Sequence, residues 1–234
     1  EGYSDMGYIL PSDYPPKLQK GIWSDKKVSV ITTYYANKYD HFGGIVGPDD
    51  NQHIDVYSQR LTDVVKIVKH NTGKNKVIII SHSMGGLVSM NYIKNYGGME
   101  SVDKLIMVGT PNHGTYGTRV GKGCSIARTT NPTPECDEML ANSTFLKNLN
   151  SNDETPGDIK YLTIIGRNKV ENDCPNYGYW DNTICASSVY LEGAENYYYD
   201  NPSNQFYTFK VEVSPPFYSS NSLHAAVVEV IALE

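Results

Sequence analysis

Ser83 has the surroundings that point most directly to chemistry. It follows the apolar run Val77-Ile-Ile-Ile and Ser81-His82, and precedes Met84-Gly-Gly-Leu-Val. A buried strand, a tight turn and a helix are expected there in succession. A serine on such a turn is aimed out of the sheet. The turn is so sharp that only small residues fit two before and two after the serine, here Ser81 and Gly85. Ser81 stands where the G-x-S-x-G elbow has glycine, yet keeps a small volume. The backbone N–H of Met84 falls at the helix N-terminus, where a developing oxyanion is stabilised. The chemistry this fits is attack by the Ser83 hydroxyl on a carbonyl carbon. His82 points off the turn and reads as a packing residue.

A serine hydroxyl is a weak nucleophile at neutral pH. It needs a histidine within hydrogen-bond reach and a carboxylate to hold that ring. Where a serine is presented on an elbow, the acid and then the base follow it along the chain. Of the six histidines only His113 and His224 come after Ser83. His224 lies in a polar loop, Ser219-Ser-Asn-Ser-Leu-His224, late in the chain. It is the stronger candidate for the base. His113, in Gly109-Thr-Pro-Asn-His-Gly114, is expected to line the pocket or its rim. The acid belongs in a loop after the strand Tyr161–Ile165. Asp181 and Asp173 are the candidates there, with Glu171 behind them. Asp181 is preferred because Ile184, three residues on, can anchor its loop and Cys185 can staple it.

These side chains need a scaffold. Lys27–Tyr34, Val77–Ile80, Leu105–Val108, Tyr161–Ile165 and Phe206–Val213 read as strands. The spacing Val56, Leu61, Val64, Val65, Ile67, Val68 predicts an amphipathic helix over 53–71, stopped by Asn71-Thr-Gly73. Gly85–Tyr96 reads as a second helix stopped by Gly97-Gly98, and Ala225–Leu233 as a closing one. Residues 1–26 and 35–52 read as loop, the former with one short helix near Pro16–Lys20. Strands alternating with helices predict an α/β domain spanning 1–234. Its sheet is mostly parallel, with helices on both faces. About fifty residues separate Val108 from Tyr161, far beyond the dozen or so a crossover needs. Residues of about 112–158, with a helical stretch near Glu135–Leu149, therefore read as a lid-like insertion.

Composition narrows the function classes. The net charge is −6 and no basic stripe is visible, so a nucleic-acid partner is not expected. No apolar run approaches ~18–20 residues, so no transmembrane helix is expected, and no signal peptide is present, though a mature chain would have lost one. Cys124, Cys136, Cys174 and Cys185 form two local pairs with spacings of 12 and 11. Disulfides Cys124–Cys136 and Cys174–Cys185 are the simplest of three connectivities and imply an oxidising compartment. Asn142-Ser-Thr144 is a glycosylation sequon, in keeping with export. No cofactor is needed and no metal site is predicted. A structural calcium would find carboxylates at Asp49, Asp50, Asp153 and Glu154, which read first as solvated loop charge.

The pattern resembles the secreted class 2 triacylglycerol lipases of the α/β-hydrolase fold. The likeness is carried by Gly21-Ile-Trp-Ser-Asp-Lys-Lys-Val, Asn71-Thr-Gly-Lys-Asn-Lys-Val, His82-Ser-Met-Gly-Gly-Leu-Val and Tyr92-Ile-Lys-Asn-Tyr. It continues in Val108-Gly-Thr-Pro-Asn-His-Gly-Thr, in Asp181 through Ala194, and in His224. The resemblance implies a triad of Ser83, Asp181 and His224 and carboxylic-ester hydrolysis through an acyl-enzyme. The substrate would be a small-molecule or lipid ester, with contact to a lipid interface, and Leu87 and His113 as pocket candidates. Such lipases begin with an apolar strand ending in His-Gly, and the next residue gives the first oxyanion N–H. Glu1-Gly-Tyr-Ser-Asp5 resembles the loop beyond that pair. Glu1 or Gly2 is therefore the candidate donor. The central strand itself is expected from an upstream segment or a partner chain. Two other readings keep the same frame: an acyltransferase, thioesterase or amidase on the same triad, or a non-catalytic extracellular binding protein.

Overall fold

The computed structural model describes residues 52–116, 133–170, 174–181 and 184–200, together with the backbone of strands at 6–7, 29–32, 36–39, 45–48 and 228–232. Eleven strands are described: β1 (Met6–Gly7), β2 (Ser29–Thr32), β3 (Ala36–Tyr39), β4 (Ile45–Pro48), β5 (Val77–His82), β6 (Val102–Val108), β7 (Lys160–Arg167), β8 (Lys169–Val170), β9 (Tyr179–Trp180), β10 (Glu195–Asp200) and β11 (Val228–Ala232). The α-helices are α1 (Ile54–Thr72), α2 (Met84–Asn95), α3 (Pro134–Glu138), α4 (Thr144–Leu149) and α5 (Ala186–Val189).

Seven strands form one sheet in the order β1-β2-β11-β5-β6-β7-β10. From β5 to β10 every pairing is parallel. β11 is antiparallel to both neighbours, β2 and β5. The fold is thus α/β on a mostly parallel sheet, as the alternation of elements predicts.

α1 and α2 pack on each other and seat the core. α1 is amphipathic and buries Ile54, Tyr57, Leu61, Val65 and Val68. It ends where Gly73 takes a left-handed φ of 70° and returns its N–H to the Lys69 carbonyl. α2 is buried from Met84 to Ile93 and meets the inward row Val77, Ile79, Leu105 and Met107 of the sheet. A helix apolar all round belongs inside a domain. The insertion is anchored to this core. Leu146 and Leu149 of α4 lie in the main core cluster. Glu138 of α3 accepts the Ile54 N–H at 2.7 Å and bonds His53 Nδ1 at 2.7 Å, which places a carboxylate at the N-terminus of α1. Thr115 bridges to Leu140 across the neck of the excursion, its N–H on Met139 O at 2.8 Å and its carbonyl accepting the Ala141 N–H at 3.2 Å.

Two expectations are corrected. Residues 225–233 do not hold a closing helix, because Val228–Ala232 is a strand. The stretch Val227-Val-Glu-Val-Ile231 is dense in β-branched side chains, which lose rotamer freedom in a helix and suit a pleated surface. The two alanines that favour helix precede the strand. Second, the loop expected over 35–52 contains an antiparallel hairpin of β3 and β4, and two residues expected as loop, Met6–Gly7, pair with β2. β11 pairs with β5 on the side away from β6. The expected strand Phe206–Val213 and the short helix near Pro16–Lys20 lie outside the described residues.

Candidate active site

The site is assembled where the parallel strands end. Ser83 follows β5 with φ 52° and ψ −130°, a conformation L-residues rarely adopt. Its N–H donates to Val108 O at 2.9 Å and its carbonyl accepts the Gly86 N–H at 3.1 Å. The strand is therefore held to β6 up to Ser83, and α2 starts at once behind it. Strain of this kind, about 1–3 kcal/mol, persists only where surrounding structure enforces it, and it clusters at functional sites. Ser81 is buried at 1% exposure and donates its Oγ to Ile106 O at 3.2 Å. Its small volume is used as the elbow requires. Met84 is N1 of α2, so its N–H has no intrahelical acceptor. His82 is exposed rather than packed, since it falls on the face of β5 opposite to Ser81.

Asp181 is brought to the same edge by a chain of strand ends. The Gly109 N–H donates to Ile164 O at 3.1 Å, which continues the ladder from Ser83 through β6 to β7. A Cβ on Gly166 would lie 2.7 Å from the Asp181 Cβ, and one on Gly109 would lie 3.5 Å from Asp181 Oδ2. Asp181 thus occupies space that Gly166 leaves open, and lies at ordinary contact distance from Gly109. Its own loop is a closed hairpin. Asp181 Oδ1 accepts the Ile184 N–H at 2.7 Å, and the Asp181 N–H donates to Ile184 O at 3.1 Å. Ile184 is buried with Ile165, Ala186 and Val189. Cys174 and Cys185 are disulfide-bonded around the hairpin and packed on Trp180. This is the anchor-and-staple arrangement expected from the spacing.

Other candidates are placed as follows. Leu87 is wholly buried in the main core and offers no surface to a substrate, so its reading as a pocket residue is corrected. His113 follows β6, with Nε2 on Glu154 Oε1 at 2.9 Å and its N–H on Ser188 O at 3.0 Å. Glu154 also accepts the Glu192 N–H at 3.0 Å, and Asp153 accepts the Thr155 N–H at 2.9 Å. Both carboxylates are committed to loop structure. Burial lowers the pKa of nearby Lys94, with Asp153 and Glu154 opposing that shift. Among the described residues no group of three His, Cys, Asp or Glu could hold a metal ion, and no helix is long and apolar enough to cross a membrane. Asn142 is exposed with φ 69°, ahead of α4, whose N-cap Ser143 accepts the Leu146 N–H at 3.1 Å. Cys136 is disulfide-bonded. Its expected partner Cys124, and Glu1, His224, Asp173, Glu171, Asp49 and Asp50, lie outside the described residues.

Sequence reasoning missed the glycines that set these distances. A Cβ on Gly86 would meet Thr110 Oγ1 at 2.1 Å, so the elbow helix and the loop after β6 touch only because Gly86 has no side chain. The signal was present: two adjacent glycines open a helix, where each costs about 1 kcal/mol relative to alanine. Asn112, 2% exposed, was also missed. It donates Nδ2 to Val189 O at 2.7 Å and accepts Asn150 Nδ2 at 2.7 Å.

Comparison with known proteins adds a family. The family model described as Lipase (class 2) matches residues 30–196. Epoxide hydrolase 1 of Caenorhabditis elegans is 36% identical over 73 residues, 31% of this chain and 18% of that protein. Among solved structures, the fold is similar to the mature form of Bacillus licheniformis lipase BlEst2, with a TM-score of 0.51 and 19% identity over 64% of this chain and 66% of that one. It is also similar to Aspergillus fumigatus lipase B, with a TM-score of 0.50 and 18% identity over 64% of this chain and 35% of that one. At these identities the structural likeness establishes the fold: the strand–elbow–helix around Ser83 belongs to a lipase-like α/β-hydrolase sheet.

Proposed function

The chain belongs to the class 2 lipase family, and from that premise we propose that it is a serine hydrolase of carboxylic esters, acting through an acyl-enzyme. Ser83 Oγ attacks the ester carbonyl carbon, and the imidazole of His224 takes its proton. Asp181 orients that ring and stabilises its charged form. The Met84 N–H receives the oxyanion, with Glu1 proposed as the source of a second N–H. The tetrahedral adduct collapses as His224 returns the proton to the departing alcohol. Water, deprotonated by His224, then attacks the acyl-serine and releases the carboxylic acid.

The observation that carries this reading is the φ of 52° at Ser83, on a turn locked at both ends by hydrogen bonds. A serine with no chemical task has no reason to sit there. The alignment of Asp181 along the same edge supports its role. The register of β11 supports His224. Val228 pairs with Ser81, and β11 runs antiparallel to β5, so it enters the sheet at the end where Ser83 stands. Three residues separate His224 from Val228, and the four Cα–Cα steps span at most about 14 Å.

We also propose export. The Cys174–Cys185 disulfide, the bonded Cys136 and the exposed Asn142 sequon suit an oxidising, glycosylating route. The insertion around 112–158 is proposed to shape access to the site, with its 133–150 portion as the fixed base. The lipid or small-molecule nature of the ester follows from the family alone.

The test is hydrolysis of p-nitrophenyl esters of graded chain length. The wild type is expected to be active. Ser83→Ala should lose at least about a thousandfold in kcat. Equal rates for the two proteins would overturn the hydrolase assignment.

A further inference from the structure

Loop 110–114 is the sequence Thr-Pro-Asn-His-Gly, and catalysis as described gives it no task. Yet it is among the most heavily tied loops near the site. Thr110 is fully buried against the face of Gly86 on the elbow helix. Two residues on, Asn112 is buried and donates Nδ2 to Val189 O at 2.7 Å. The His113 N–H donates to Ser188 O at 3.0 Å, and Ser188 Oγ donates back to Gly114 O. Both acceptor carbonyls belong to α5, which starts one residue after Cys185. Ile184, just before it, carries the N–H that fixes Asp181 Oδ1. One short loop thus touches the helix behind the nucleophile at one end and the helix behind the acid at the other.

We propose that this loop is the brace that sets the Ser83–Asp181 separation, and that Asn112 is a positioning residue for Asp181. The inference rests on the hydrolase reading above. Asn112 does not touch reacting atoms. It acts by holding α5, and through Ile184 the Asp181 carboxylate, in register with the loop that packs on the elbow helix. Its backbone carbonyl accepts from Asn150 Nδ2 at 2.7 Å, which ties the main chain at this position to the turn after α4. A group that merely stabilises the fold would affect catalysis independently of Asp181. A brace for Asp181 would lose its effect once that carboxylate is gone.

A double-mutant cycle on the full chain separates the two. Ester hydrolysis is measured for wild type, Asn112→Ala, Asp181→Asn and the double variant, each normalised to folded protein by near-ultraviolet circular dichroism. We expect Asn112→Ala to lower kcat about 10- to 100-fold with KM within about twofold, the size of effect a small displacement of a catalytic group has. In the Asp181→Asn background the same change should cost less than about threefold. If Asn112→Ala does not fold, Asn112→Ser takes its place in the cycle, since serine keeps a polar group too short to reach Val189 O. An active wild type whose kcat is unmoved by the change, or falls equally in both backgrounds, overturns the brace alone. A wild type without ester hydrolysis overturns the hydrolase reading and the brace with it.

Discussion

Ser83 holds a backbone conformation that costs stability and gains reach. The strain of about 1–3 kcal/mol at φ 52° is relieved by glycine, which populates such angles freely. Glycine gives back part of that gain through the unfolded chain's entropy. Ser83→Gly should therefore abolish hydrolysis yet stabilise the fold by about 1 kcal/mol, raising Tm by about 2–4 °C for a domain of this size. A fall in Tm in a thermal melt would show that the turn is not strained. At this scale the nucleophile was legible because the strand, the small neighbours and the helix start are contiguous in sequence. Asp181 was legible only as one of several loop carboxylates, and the anchoring role of Ile184 favoured it. Gly86 and Gly166 were not legible as spacers. What each avoids, Thr110 or Asp181, is distant in sequence and meets it only after folding.

Among the elements, the acid loop shows how a weakly structured segment is made rigid. The described residues of 174–185 contain a two-residue strand and one short turn, and no longer regular element. The disulfide and the Trp180 cluster supply the constraint. Removing the cross-link by Cys174→Ser with Cys185→Ser should cost about 3 kcal/mol of stability for a closed loop this short. Because Asp181 lies inside that loop, kcat should also fall by about tenfold or more, with KM little changed, in the same ester assay. Unchanged kcat would mean that the hairpin positions Asp181 without the cross-link. The periodic elements α1, α2, β5, β6 and β7 were legible because their apolar spacing repeats over many residues. β11 was not. The alanines at 225 and 226 suggested a helix, but the β-branched Val-Glu-Val-Ile that follows suits a strand and completes ladders with β2 and β5. The hairpin of β3 and β4 escaped for a similar reason, since Gly-rich polar sequence carries no period.

The molecule as a whole depends on that last strand. β11 joins β1 and β2 to the parallel block whose strand β5 leads into Ser83, so residues 228–232 close the sheet. The proposed base, His224, precedes that strand in sequence, so the proposal couples its placement to sheet integrity. The central claim is that the Ser83 hydroxyl is an activated nucleophile and His224 its activator. The most direct measurement is site-resolved mass spectrometry of the intact chain treated with a fluorophosphonate probe. A single phosphonyl adduct on Ser83, formed at least about a hundredfold more slowly in His224→Ala, is the predicted result. No adduct, an adduct on another serine, or equal rates in the two proteins would contradict it.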